Sequence, residues 1–366
     1  MQLVNTKNKK LALLAAFFMF TVSNSYSMSA TSNEVFMVEN ESKIPVSISI
    51  STGVLNGESK EYVYDNFLGT DQKVSELTWG LDNVLMVGAE TSIGLTDRIS
   101  LNFGAWFNTS DGSNSMTDYD WRTGEDEKWT DYSSSNSDLE EGMMLDANFD
   151  IVIISKHNYS LSGVLGFRYD KFRWSSYDVS GVYSSKYIAY DKLDGYYYED
   201  EFRIQDVELY GDNIDYEQKF FTPYIGLDFN YKINKWVFTS YVRGAMWAWG
   251  EATDIHYYPD DGTYTLNQDF WGYPAGSVSY PDSSESSTSI DEVDNMYYIS
   301  LGLGVNYLFT ETFSLGLSLD FQKYYRAEDD NYDVVDPDYD PDYIFQSRGG
   351  MSHESYMITL SAKYYL

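Results

Sequence analysis

The sequence predicts an all-β fold: a ten-stranded antiparallel transmembrane β-barrel with long extracellular loops and short periplasmic turns. Three observations predict it. Apolar and polar residues alternate with a period of two, short and long connections alternate along the chain, and aromatic residues reach 17%. Period-two alternation gives each strand one apolar and one polar face, and barrel closure removes the sheet edges that hydrocarbon does not tolerate. Aromatic girdles at two membrane interfaces account for the 35 tyrosines and 9 tryptophans.

The N-terminal segment, residues 1–27, has the features of a secretory signal peptide. Lysines within residues 7–10 precede an apolar run over residues 11–20, and small residues follow it. A charged segment, a short apolar run and small residues near a cleavage point are typical of such signals. No later run approaches the roughly 18 apolar residues of a membrane helix. We therefore expect residues 28–366 to form one exported, multi-pass barrel domain in the outer membrane.

The connections between alternating segments supply the topology. Both chain ends fall on the short-turn side, and nine connections join ten strands, which is the pattern of bacterial outer-membrane barrels. The predicted short turns are Thr96–Arg98, Lys156–Asn158, Asn234–Lys235 and Thr310–Thr312. The predicted long polar loops are residues 65–73, 108–140, 175–217, 254–294 and 327–352. The closing strand is expected over residues 358–366.

The charge balance and the absence of cysteine exclude several kinds of site. The formal net charge of -33 argues against a nucleic-acid partner, because phosphate needs a basic surface. The acidic excess fits equally a solvated surface or a field that attracts cationic substrates. Without cysteine there is no disulfide and no thiolate metal site. The Asp-rich segment at residues 333–343 offers carboxylate oxygens to Ca²⁺, but it lacks the EF-hand spacing. We interpret it as a solvated loop and expect no metal cofactor.

Two pairs of side chains carry the predicted chemistry. In a strand, residues i and i+2 point the same way, so Asp254 and His256 share one face, as do Asp118 and Asp120. A carboxylate beside an imidazole orients the ring and favours the imidazolium that forms when the ring accepts a proton. Both pairs lie at long-loop ends, on the extracellular side. If they meet across the barrel mouth, a water between His256 and Asp118 is positioned for activation as a nucleophile.

Other functions remain open at this point. A serine mechanism would pair Ser133 with His256, although Ser133 lies in a serine-rich loop of a kind that is usually only solvated. The main alternative from another class is a catalytically silent barrel that acts as an adhesin or host-interaction protein. A porin is disfavoured because ten strands leave a lumen filled by side chains, whereas aqueous channels need about 16–18 strands. Of the other two histidines, His157 falls in a predicted turn, and His353 is predicted to begin the last strand near the outer rim.

Several motifs, in order along most of the mature chain, resemble those of the omptins, a family of ten-stranded outer-membrane aspartyl proteases. The matching segments are Gly53–Gly57 with Lys60-Glu61, Lys73–Leu77, Asp118–Trp121, Trp129–Asp131, Pro223–Leu227 and Asp254–Tyr257. The resemblance implies an endopeptidase that cuts extracellular, cationic polypeptides near basic residues. It also implies that a nucleophilic water is held by Asp118 and His256, with Asp120 and Asp254 supporting them.

The resemblance further implies a substrate pocket containing Glu61 and Met116. The family's second pocket acid falls on Ala252 in this chain, so we expect a weaker preference for a basic residue at the scissile bond. The resemblance also implies lipopolysaccharide as a partner and activating lipid, bound to an outer basic patch. Lys171 and Lys219 stand where the family usually has arginines, and Val293 stands where it often has lysine.

One conflict in strand alternation concerns the seventh predicted strand. If Asp254 faces the lumen, strict alternation places Arg243 on the lipid side. A β-bulge would restore the register, and a low position in the barrel would let the side chain reach the interface.

Overall fold

The computed structural model describes residues 44–65, 72–112, 114–121, 129–184, 187–190, 197–200, 203–257, 263–266, 276–279, 287–334 and 346–366. Its regular elements are β-strands, as the alternation predicts. They are β1 (Val46–Asp65), β2 (Gln72–Thr96), β3 (Ile99–Asn108), β4 (Asn114–Asp120), β5 (Asp131–Ser155), β6 (Tyr159–Ser184), β7 (Tyr187–Tyr190), β8 (Tyr197–Asp200), β9 (Arg203–Ile233), β10 (Trp236–His256), β11 (Thr263–Leu266), β12 (Gly276–Ser279), β13 (Ser287–Leu308), β14 (Phe313–Val334) and β15 (Gln346–Tyr365). Among the described residues, no helix has the length and apolar character needed to cross a membrane.

The main sheet closes on itself into a barrel. The first strand, β1, pairs with both β2 and β15, so the seam has no free edge. The strands β3 and β4 are consecutive parts of one wall, because both pair with β2 on one side and with β5 on the other. Within the described ranges, the 11 strands of this sheet therefore make ten antiparallel walls, which confirms the predicted barrel. The hairpins β7–β8 and β11–β12 form separate two-stranded sheets.

The four predicted short turns are confirmed, but the described parts of the predicted long loops are largely strand. The barrel strands reach 31 residues in β9. A 20-residue strand such as β1, tilted by about 40°, rises about 50 Å, whereas the lipid-facing apolar band of such barrels is only about 25 Å tall. The strands therefore continue far above the membrane, and β4 with the first part of β5 occupies much of the polar stretch 108–140. Above the membrane the outer face of a strand contacts water instead of lipid, so a strand there need not carry apolar residues.

The membrane-spanning part has an apolar outer face and a polar lumen. On β14, Leu315, Leu317 and Leu319 are 38%, 53% and 47% exposed and point outward. The preceding Ser314 points inward and is fully buried. The lumen encloses a polar cavity that is lined in part by Asp146, Arg243 and Asp320. This division is the one that alternating strands produce in a lipid bilayer.

A bulge in β10 resolves the conflict over Arg243. The pairing of β10 with β13 shifts between Ala245 and Ala248, and Met246 and Trp247 are 57% and 61% exposed although they are consecutive. This extra residue reverses the alternation, so that Arg243 below the bulge and Asp254 above it both point inward. The guanidinium of Arg243 lies 3.6 Å from Asp146 and 3.9 Å from Asp228.

An aromatic layer packs across the barrel above the lumen cavity. Its stacked rings are Trp79 on Tyr216 (centroids 5.3 Å apart), Phe220 on Tyr324 (4.1 Å) and Phe172 on His353 (4.5 Å). Stacked rings of this size bury a large apolar area and form a rigid floor. The floor supports the inward-facing residues at the extracellular end of the barrel.

Two sequence-based expectations fall on residues that the structure does not describe. These are the signal peptide at residues 1–27 and most of the Asp-rich segment at residues 333–343. Within the described ranges, no group of three or more acidic, histidine or cysteine side chains is arranged to hold a metal ion.

Candidate active site

The Asp254–His256 pair lies at the upper end of β10 and has the geometry that strand periodicity predicts. The Nε2 atom of His256 lies 2.6 Å from Oδ2 of Asp254, and the two side chains are 47% and 7% exposed, respectively. A buried carboxylate thus anchors a ring that remains open to solvent. Bonding one ring nitrogen to a carboxylate orients the imidazole and leaves the other nitrogen available to accept a proton.

The second pair, Asp118 and Asp120, lies on β4 and faces the same interior. The neighbouring strand β2 places Leu77 opposite Asp118 and Ser75 opposite Asp120. The hydroxyl of Ser75 donates a hydrogen bond of 2.9 Å to Oδ1 of Asp118. This bond holds the carboxylate in one orientation without neutralising its charge.

The fold brings the two pairs together from nearly opposite walls. Partial desolvation of the ring lowers the pKa of His256, but the hydrogen bond and charge of Asp254, followed by the charges of Asp118 and Asp120, reverse this effect and leave the pKa above 6.5. Carboxylates act in this way on an imidazole only at short range, because solvent screens distant charges. The two pairs predicted from the sequence therefore act on one imidazole.

Glu61, on β1, is a deeply buried acid near these pairs. Its side chain is 3% exposed, and it lies opposite Leu77 on β2 and Met351 on β15. Burial and then the charges of Asp254, Asp291 and Asp118 raise the pKa of Glu61 well above its usual range, which the indole N–H of Trp79 partly opposes. Among the described residues, its Oε2 has no hydrogen-bond partner. A buried, unpaired acceptor at the extracellular end is suited to bind a donor from a ligand.

Met116, which the resemblance predicts to be a pocket residue, lies on the same strand as the acidic pair, two residues before Asp118. It is 1% exposed and lies opposite Trp79, at the level of the aromatic layer. Its side chain is therefore an apolar part of the pocket floor and contributes no charge.

Sequence reasoning missed three residues that border Glu61 and Ala252. On the two strands beside β10, Gln218 and Asp291 lie opposite Ala252, and Tyr216 lies opposite Asp254. Gln218 Nε2 donates hydrogen bonds to the Tyr216 hydroxyl at 2.8 Å and to the carbonyl of Lys60 at 3.1 Å, which joins β9 to β1 beside Glu61. Only strand register reveals these contacts, because the residues are far apart in the chain.

The lysine pair, Lys171 and Lys219, lies opposite each other on β6 and β9. Its ammonium groups are bound by glutamates: Lys171 lies 3.1 Å from Glu141 and 2.8 Å from Glu217, and Lys219 lies 2.8 Å from Glu217 and 2.6 Å from Glu251. These bonds lower the pKa of Glu217 even though burial opposes the change. The patch is therefore mixed in charge. Val293 is 1% exposed and belongs to the buried core, so it adds nothing to this surface.

The remaining candidates occupy different environments. His157 lies in the turn between β5 and β6, as predicted. The prediction that His353 begins the last strand is wrong, because β15 begins at Gln346. His353 is 1% exposed and is held by Ser59 at 2.8 Å and Ser355 at 2.9 Å, so it is a core residue. Ser133 lies opposite Asp118 on β5 and is 7% exposed.

Comparison with known proteins finds a matching family model and several similar proteins. A family model described as the Omptin family matches residues 42–366. The plasminogen activator of Yersinia pestis is 29% identical over 241 residues, covering 66% of this chain and 72% of the relative. The outer membrane protease OmpP of Escherichia coli strain K12 is 26% identical over 252 residues, covering 68% and 76%. The crystal structure of the outer membrane protease OmpT from Escherichia coli superposes with a TM-score of 0.69 at 20% identity, covering 88% of this chain and 97% of that one.

Proposed function

Because the chain belongs to the omptin family, whose members include outer membrane proteases, we propose that it is a surface endopeptidase acting through an activated water. The observation that carries this proposal is that Asp254 binds the His256 imidazole at 2.6 Å while the charges of Asp118 and Asp120 act on the same ring. The barrel belongs to a family of outer membrane proteins, and we place the site at its extracellular end.

The proposed reaction uses water bound between His256 and Asp118. Neutral His256 takes a proton from this water as the oxygen attacks the peptide carbonyl carbon, and Asp254 stabilises the imidazolium that forms. The imidazolium then gives the proton to the leaving nitrogen as the C–N bond breaks, which yields a carboxylic acid and an amine. Asp118 orients the water, and Asp120 supports the positive charge on the ring.

We also propose that the scissile bond lies next to a basic residue. Glu61 offers a buried and unpaired carboxylate oxygen within the pocket, and a guanidinium brings five N–H donors in a planar fork that matches a carboxylate. The net charge of -33 adds a field that attracts cationic polypeptides from solution.

Lipopolysaccharide is the proposed activating lipid, with the lysine pair as its contact. A lipid phosphate must compete there with Glu217, which binds both ammonium groups at 2.8 Å. Lysine holds phosphate as a point charge without the planar fork of arginine. We therefore propose a lipopolysaccharide site that is weaker than one built from unpaired arginines.

Substitution of the general base tests the proposed function. Refolded protein with lipopolysaccharide should cleave a peptide containing adjacent arginines, and His256→Ala and Asp118→Asn should each lower kcat by about 10²- to 10⁴-fold. Cleavage is measured by mass spectrometry of the products.

Two control variants sharpen this experiment. His157→Ala removes a histidine in a turn at the opposite end of the barrel and should leave the rate unchanged. Ser133→Ala should retain most activity, because the proposed nucleophile is water. Full activity in His256→Ala would contradict the proposal, and a wild-type protein that cleaves no peptide would favour the silent, adhesive barrel.

A further inference from the structure

Ala252 marks a place in the pocket where the resemblance predicts an acid and this chain has a methyl group. The side chain is 2% exposed, on the same inward face as Asp254. Directly opposed residues of an antiparallel pair point to the same face. Gln218 on β9 and Asp291 on β13, which both lie opposite Ala252, therefore point into the space around it.

The carboxylate of Asp291 reaches across β14 to the inner face of β15. A Cβ on Gly349 would overlap both carboxylate oxygens of Asp291, so this carboxylate fills the space that a side chain at residue 349 would take. Gly349 lies two residues before Met351, which is the strand partner of Glu61. Asp291, 4% exposed, and Glu61, 3% exposed, thus face the same short stretch of β15.

A second contact links the surroundings of Ala252 to Glu61. Gln218 is fully buried and donates to the carbonyl of Lys60, the residue that immediately precedes Glu61. Gln218 is therefore joined to β1, the strand that carries Glu61. Asp291 contacts β15, the neighbour of β1. The charge of Asp291 is also among those that raise the pKa of Glu61.

The pocket around Ala252 has an excess of hydrogen-bond acceptors. Among the described residues, three acceptors, Glu61 Oε2, Gln218 Oε1 and Asp254 Oδ1, are buried without a hydrogen-bond partner, against one such donor beside Glu61, the indole Nε1 of Trp79. An unsatisfied buried acceptor costs about 1–3 kcal/mol, and more when it is charged. A ligand that brings several N–H donors and a positive charge relieves this cost, whereas an apolar ligand does not.

We propose that Asp291 is the second carboxylate of this pocket, supplied by the adjacent strand in place of the acid that Ala252 lacks, and that it determines specificity for an arginine side chain. This inference rests on the proposed function, because it concerns the substrate of the same site. It predicts that the preference for a basic residue is retained, whereas Ala252 considered alone predicts a weaker preference.

The test compares two peptides that differ only in arginine or norleucine before the scissile bond. In the wild-type protein, refolded with lipopolysaccharide, kcat/KM should be at least tenfold higher for arginine. Asp291→Asn preserves shape and removes the charge, so the arginine-to-norleucine ratio should fall by about 10- to 100-fold. Asp294→Asn, an exposed position on the same strand, should leave the ratio unchanged. The double variant Asp291→Asn with Ala252→Asp should recover the preference.

A further variant tests the inference even if Asp291→Asn does not fold. Ala252→Asp in the otherwise wild-type chain should change the ratio by less than about threefold if Asp291 already supplies the second charge. A gain of tenfold or more would show that the charge was missing and would overturn the inference. Equal rates for arginine and norleucine in the wild-type protein, or an unchanged ratio in Asp291→Asn, would also overturn it. If the wild-type protein cleaves neither peptide, the proposed function itself fails.

Discussion

At the scale of the residue, the His256 imidazole has three carboxylates acting on it. Asp254 binds one ring nitrogen, and Asp118 and Asp120 add negative potential from the opposite wall. Together these groups favour the protonated ring. A general base acts in its neutral form, so the same charges that stabilise the imidazolium intermediate also make the free enzyme more sensitive to acid.

This balance predicts a pH dependence. Because the pKa of His256 is raised above 6.5, kcat/KM should decrease with acidification through an inflection above pH 6.5. Asp120→Asn removes one of the charges that raise this pKa, so the inflection should move to lower pH. The measurement is kcat/KM for one peptide across the range in which the protein remains folded.

Asp97→Asn, in a periplasmic turn, is the matched control and should leave the inflection in place. An inflection that stays fixed or moves upward in Asp120→Asn would show that another group controls the profile.

At the scale of the element, the bulge in β10 decides which side chains face the lumen. One extra residue between Ala245 and Ala248 lets Arg243 pair with Asp146 and Asp228, while Asp254 faces the site. Without it, one of these two side chains must point outward. An arginine facing lipid near the bilayer midplane costs about 2–4 kcal/mol, so the bulge stabilises the barrel as well as orienting the proposed catalytic pair.

Deletion of Met246 tests this role, because it removes one residue from the bulge. We expect either loss of the folded barrel or a folded barrel that has lost its peptidase activity. The reason is that only one half of β10 can then keep the same side chains pointing into the lumen. Folding is followed by the heat-dependent mobility of the barrel in gel electrophoresis, and activity by peptide cleavage.

The substitution Met246→Ala keeps the residue count and should preserve both properties. A deletion variant that folds with wild-type activity would mean that β10 reaches its register by other means.

At the scale of the whole molecule, strands that rise far above the membrane place the reaction in the extracellular medium and place the lysine pair on the outer surface. The salt bridges of Lys171 and Lys219 with three glutamates reduce the positive field that would attract a lipid phosphate. Lipid binding at this surface therefore depends on displacing Glu217 from two ammonium groups at once.

We predict that lipopolysaccharide activates the refolded protein and that Glu217→Gln lowers the lipid concentration needed for half-maximal activity by about threefold or more. The neutral amide removes, at no cost in volume, the one carboxylate that both lysines share, so phosphate then competes only with Glu141 and Glu251. Activity titrated with lipopolysaccharide gives this concentration. Glu311→Gln, in a periplasmic turn, is the control. Full activity without lipid, or an unchanged titration in Glu217→Gln, would contradict this assignment.

The amino-acid sequence alone determined the features that depend on short-range order. Period-two alternation predicted the strands, and the short turns predicted the order of the strands around the barrel. The i, i+2 spacing predicted that Asp254 shares a face with His256, and Asp118 with Asp120. These features were predictable because each depends on residues within a few positions of one another. The resemblance added Glu61 and Met116, whose burial in the pocket has no local signal.

Only the tertiary structure decided the contacts between distant strands. It turned Arg243 into the lumen, extended the strands through stretches that their polarity assigned to loops, and paired the two lysines with glutamates. It also brought Asp291 opposite Ala252 from a segment that sequence reasoning assigned to a loop. The physical reason is that register in a closed sheet is set by pairing around the whole barrel, and a single extra residue reverses which side chains face inward.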